Sequence, residues 1–149
     1  MGLKDRLSGR KLPSTRYSLR IDDDTAARAE LLAARAAGDD TRIALAQEAV
    51  DACYEQVAIT ALPPGLMEAL LEEHPPTAGQ RERNKAVLFN PKTFAPALFA
   101  ACIDSDVTEE DWTEYLGATG PMTAGESIEL FNTVWELNYR APDPDLGKG

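Results

Sequence analysis

Apolar residues recur every three or four positions along most of this 149-residue chain, the period of helices packed by one face. Only over Tyr17-Ser-Leu-Arg-Ile21 do they alternate cleanly with polar ones, the period of a half-buried strand. Downstream, the acidic cap cluster Asp22-Asp-Asp-Thr25 opens a first helix, about Ala26 to Ala37, where carboxylates complement the helix dipole. Gly38-Asp39-Asp40 ends that helix and caps a second, roughly Thr41 to Thr60, with Ile43, Ala46, Val50, Cys53 and Val57 as its stripe. Ala29, Leu32 and Ala36 offer a matching stripe on the first, and together they predict an antiparallel helical hairpin.

Leu62-Pro63-Pro64 breaks the chain and starts a short third helix, Gly65 to Glu73, whose apolar face is Leu66, Met67, Leu70 and Leu71. His74-Pro75-Pro76 stops it. Thr77-Ala-Gly-Gln80 has the form of a capping box, yet the basic run and Val87-Leu-Phe89 that follow read as a surface loop. For the fourth helix Thr93 is preferred over Asn90 as cap, because it puts Pro96 in the first turn. Thr108 with Asp111 caps a fifth helix that presents Trp112, Tyr115 and Leu116. Thr123 with Glu126 caps a sixth, which runs to about Tyr139 and carries Ile128, Phe131, Val134, Trp135 and Asn138.

The expected fold is therefore mainly α: an N-terminal helical hairpin (22–61), a joint (62–92) and a small C-terminal helical cluster (93–140), with one short N-terminal strand-like segment. Residues 16–140 form one domain between a mobile basic arm (1–15) and an irregular tail (141–149). A lone strand has unpaired backbone groups, so Tyr17, Leu19 and Ile21 either pack as an extended lead-in or pair with a partner or a second copy. Phe131 and Trp135 are read as core first and as partner anchors second.

Composition narrows the function. The apolar share of 44% supports a packed core without metals or disulfides. Cys53 and Cys102 lie in apolar helical patterns and read as reduced thiols. No run of about 20 apolar residues occurs, so no membrane span is expected, and the basic start lacks the apolar core of a secretion signal. Position 6 is Arg, against myristoylation at Gly2. The net charge of −10 hides a polarity: residues 1–20 carry six basic side chains against Asp5, a net of +5, which leaves −15 for the rest. Such an acidic body argues against nucleic-acid binding through a folded face.

Candidate chemistry is sparse. Asp104-Ser-Asp106-Val-Thr108 starts like a calcium loop, but Glu109 stands where Gly is needed and Tyr115 where the last carboxylate belongs. His74 reads as a favourable charge at a helix C-terminus. Phosphate loops, dinucleotide glycines, nucleophile elbows and metal-spaced His/Cys sets do not occur. No catalytic residue, cofactor or metal is expected, and the protein reads as a non-enzyme.

Four stretches resemble another body of sequence: LPPGLMEALLEEHPPT (Leu62–Thr77), FNPKTFAPALFAAC (Phe89–Cys102), TEEDWTEYL (Thr108–Leu116) and APDPDLGKG (Ala141–Gly149). With the lead-in Arg16–Asp39, they are similar to the tail assembly chaperones of long-tailed actinobacterial phages and prophages. The resemblance implies a non-enzymatic protein in the cytoplasm of a bacterial host, whose partner is the tape-measure protein. It also implies short and frameshifted long forms, and it carries over no catalytic residue. The partner surface expected on this reading is the second helix's stripe, with Val50 and Val57, or the Phe131/Trp135 face, with Tyr17, Leu19 and Ile21 as a route to self-association. The rival reading is a structural virion subunit, tail or connector, that donates the Tyr17–Ile21 strand to a neighbour.

Overall fold

The computed structural model describes residues 2–140. Among these, eight helices and a three-stranded antiparallel sheet make an α+β fold, which overturns the mainly α expectation with its single strand-like segment. The tail at 141–149, with the Ala141–Gly149 stretch, lies outside the described residues.

The error sits at the end of the second predicted helix. Helix α3 (Asp40–Asp51) stops nine residues before Thr60, and Tyr54–Thr60 is strand β2. Tyr54, Val57, Ile59 and Thr60 are aromatic or β-branched and fit a pleated surface better than a helix. Strand β1 (Ser14–Arg20) is where alternation placed it, but it is not alone. Pro13 accepts from the Ala61 N–H (2.9 Å), and Cys53 accepts from the Ile21 N–H (2.7 Å). Between them Ser14 faces Thr60 and Gln56 donates to Ser18, so one antiparallel register is held end to end. Strand β3 (Ile103–Asp104) completes the order β1-β2-β3 with β2 central.

The described residues divide into two compact units, 16–58 and 2–15 with 59–140, and β1 and β2 contribute residues to both. In the first unit, α2 (Thr25–Ala37) packs on α3. The buried set is Leu31, Ala34, Ala46 and Val50, with Ala27, Ile43 and Tyr54 against it. On α3 the predicted stripe holds through Val50. On α2 it is displaced: Leu31 and Ala34 face inward, whereas Leu32 is 68% exposed. Gly38 ends α2 at φ 66°, a left-handed conformation that only glycine adopts without strain. Arg42 grips Glu30 with two hydrogen bonds (2.5 and 3.0 Å), and the Tyr54 hydroxyl donates to Asp24 while accepting from Arg28 (2.6 Å).

The second unit is built around α6 (Pro91–Cys102). Phe94, Leu98 and Phe99 on α6 are fully buried, as are Leu130 and Val134 on α8 (Ala124–Tyr139). Met67 of α4 (Pro64–Glu73) and Trp112 of α7 (Glu109–Tyr115) close the core. Asn90, not Thr93, caps α6, which puts Pro96 one turn further in, where it is buried. The segment read as a surface loop holds α5 (Ala78–Arg83), and both hydrogen bonds of its Thr77/Gln80 capping box are made. Residues 3–8 form a helix of their own, α1 (Leu3–Ser8), with no buried residue.

Candidate docking groove

Three helices of the second unit leave apolar surface open between them. Helix α6 contributes Ala95 and, from beneath, the buried Pro96 and Phe99, and the end of α7 with the turn after it contributes Thr113, Leu116, Gly117 and Ala118. Helix α8 contributes Ser127, Ile128, Phe131 and Asn132, and Val87 and Phe89 line it from the segment before α6. They enclose a groove of about 850 Å³. Volumes of about 300–1,000 Å³ are typical of pockets that bury a drug-sized ligand, or the side chains of a docked helix.

Each wall is fixed for a local reason. Thr123 accepts from the Glu126 N–H (3.1 Å) and Glu126 returns the bond to Thr123 (3.0 Å), which anchors the first turn of α8 just before Ser127 and Ile128. Thr108 and Asp111 do the same for α7, both at 3.1 Å. At the α7 end, a Cβ on Gly120 would lie 2.1 Å from the Tyr115 carbonyl oxygen, so this turn closes only with glycine. The α6 wall is held by Asn90: its amide N–H donates to the His74 carbonyl (2.9 Å), and its side chain accepts from Gln80 (2.9 Å) and from the Lys92 N–H (3.1 Å).

Beneath and beside the groove lies an aromatic cluster. Phe89 packs on Phe94 (4.5 Å between centroids), Phe131 (5.8 Å) and Trp135 (5.4 Å). Phe131 stacks on Trp135 at 5.8 Å, and Trp135 meets Tyr139 at 4.4 Å. Arrangements of this kind are worth about 0.5–1.5 kcal/mol per pair beyond their buried area.

Two of the helices that form the groove are acidic throughout. Helices α7 and α8 carry Glu109, Glu110, Asp111, Glu114, Glu126, Glu129 and Glu136 and no Lys or Arg within their bounds. Lys92 is the one cation among the lining residues. None of these seven carboxylates is among the lining residues, so the groove itself is an apolar surface that favours an apolar occupant.

The residues singled out from sequence are not brought together. Phe131 lines the groove, and Trp135 supports it from the aromatic cluster, both half-buried. Val50 is buried between α2 and α3, and Val57 is half-buried in β2. Tyr17 and Leu19 are half-buried in β1, while Ile21, just past its end, is 58% exposed. The sequence reading gives no binding role to Ala95, Leu116 or Ile128, although it places Leu116 and Ile128 on apolar helix faces. Only Ile128, an apolar residue 62% exposed on a capped helix, carried any signal, because it sits one turn before Phe131.

Elsewhere the side chains show little reactive chemistry. Both cysteines are free, and burial pushes the Cys102 thiol up while the Asn138 amide beside it (3.7 Å) works the other way. Asn138 is also structural, its side-chain oxygen accepting from the Leu62 N–H at 2.8 Å. His74 lies edge-on to Phe94 at 6.3 Å and 3.9 Å from Glu109. Among the described residues no group of three or more His, Cys, Asp or Glu is placed to hold a metal ion, and no helix is long and apolar enough to cross a membrane. No protein-family description, curated protein or solved structure matches the chain.

Proposed function

We propose that this protein is a phage tail assembly chaperone that binds the tape-measure protein and keeps it soluble in the cytoplasm of a bacterial host during tail morphogenesis. The observation that carries the reading is the groove between α6, α7 and α8, open, apolar and set on an aromatic cluster. A tape-measure protein is a long, largely helical rod whose apolar faces aggregate when naked. A groove of this size accepts two turns of such a helix by its i, i+3, i+4 side chains. The chain's net charge of −10 keeps the complex dispersed. The four stretches that resemble tail assembly chaperones supply the identity of the client, and three of them, Leu62–Thr77, Phe89–Cys102 and Thr108–Leu116, build α4, α6 and α7. The role involves no catalysis and no cofactor.

Co-expression tests it. A tape-measure fragment is expected to be soluble and co-purified with this protein and to precipitate without it. A fragment equally soluble and unbound in both cases ends the chaperone reading.

One observation favours the rival, a structural virion subunit. Strand β1 is paired with β2 on one side and lies at the edge of the sheet, so its other side is a template for an added strand. Stoichiometric copies in purified particles would support that role, and absence from them the chaperone.

A further inference from the structure

We propose that the groove is also the seat of the N-terminal arm of a second copy of this chain, so that two copies exchange arms and cover one another's groove. Helix α1 buries none of its residues, and Leu3 and Leu7 are 66% and 54% exposed. Their spacing of four puts both on one face, which is the pattern a helix uses to enter an apolar groove. Lys4, Arg6, Arg10 and Lys11 flank those leucines. With Asp5 counted, residues 1–20 stand at +5, opposite in sign to the −15 of the rest of the chain and to helices α7 and α8, which hold no Lys or Arg. Neither leucine lines the groove of its own chain.

The arm joins the body at one fixed point. Its base is fixed where the Pro13 carbonyl accepts from the Ala61 N–H at 2.9 Å, and Gly9 to Leu12 link that point to α1. A two-fold pair uses each contact twice, so a single short helix per chain contributes two buried arms to one interface. The pairing does not depend on the identity of any client. Where a client helix does bind, it competes with the arm for the same walls.

The test is the mass of the full-length chain in solution across a concentration series, by sedimentation equilibrium. Wild type is expected to be a dimer. Leu3→Asp/Leu7→Asp in the arm and Ile128→Asp in the groove wall should each weaken dimerisation by about tenfold or more, as loss of a central apolar anchor does. All three positions are exposed, and unchanged circular dichroism confirms that the fold is kept. An equimolar mixture of the two variants should recover dimer, because one arm and one groove remain intact. Added salt should weaken the wild-type dimer. A monomer at every concentration the protein reaches would overturn the proposal. So would a dimer that either variant leaves unchanged, or variants whose mixture stays monomeric.

Discussion

The two units of this chain bury their helices by opposite means. In residues 16–58, two helices of similar length meet through small residues. Ala34 and Ala46 lie at the centre, Leu31 and Val50 beside them, and the edges are fastened by exposed ion pairs. The second unit instead wraps one helix: α6 buries Phe94, Pro96, Ala97, Leu98, Phe99 and Cys102, so it has almost no solvent face over its second half. Small residues let two backbones close up until nothing is left open. Large rings and three surrounding helices cannot close everywhere, and the volume they leave is the groove. The groove is thus a by-product of how the aromatic core is packed.

The contrast is broken most severely at the rings. Phe99→Ala removes a fully buried side chain that packs edge-on to Trp112 at 5.2 Å, and should cost about 3–5 kcal/mol. Chemical denaturation followed by tryptophan fluorescence would show it directly, since both tryptophans lie in this unit. Leu31→Ala, at the same kind of position in the first unit, should cost less, about 2–3 kcal/mol, because its neighbours are alanines that already approach closely. Equal losses at the two sites would mean that both cores are packed alike. Thr123→Ala should cost about 1 kcal/mol through loss of the α8 cap.

The first unit's fastenings should show in its response to acid. The Tyr54 hydroxyl, then Arg28, hold the Asp24 carboxyl below its ordinary value of 3.8, and Arg42 holds Glu30 below 4.5. Folded values below the unfolded ones mean that these contacts stabilise above the ordinary carboxylate range. That contribution is lost as the pH falls from about there through the depressed folded values. Asp24→Asn with Glu30→Gln should flatten this acid limb, and 1 M salt should mute the part due to Glu30, which is exposed, more than the part due to the half-buried Asp24. An acid limb identical to wild type would assign it to other carboxylates. The smallest effect is chemical: Cys53, half-buried, should react with a thiol reagent in the native protein, and the buried Cys102 only after denaturation.

Features set by a few adjacent residues were legible in the sequence. The caps Thr77/Gln80, Thr108/Asp111 and Thr123/Glu126 all form as written, because a capping box is decided within four residues. Strand β2 was not legible. Val57 satisfies both a helical step from Cys53 and a strand alternation with Ile59, and no glycine or proline separates Asp51 from Thr60. What decides between them is pairing with β1, about forty residues away in the chain, which no local period reports. The α2 face was ambiguous for a different reason. With alanine at seven of its thirteen positions, several stripes fit equally, and Leu31 wins over Leu32 only through contact with α3. The groove was nearly invisible, because it is made by three helices whose lining residues are ordinary. Phe131 drew attention as an aromatic; Ala95 and Leu116 had nothing to distinguish them.

Whether the groove, rather than the helical pair, is the working surface can be read from one binding measurement. Affinity for a soluble tape-measure peptide would be compared, by fluorescence anisotropy, between Ile128→Asp in the groove wall and Leu32→Asp on the outer face of α2. Both leave the fold intact, since the two residues are 62% and 68% exposed. Binding should fall about tenfold or more for Ile128→Asp and stay at the wild-type level for Leu32→Asp. Undiminished binding by Ile128→Asp, or a loss confined to Leu32→Asp, would contradict the groove as the docking site.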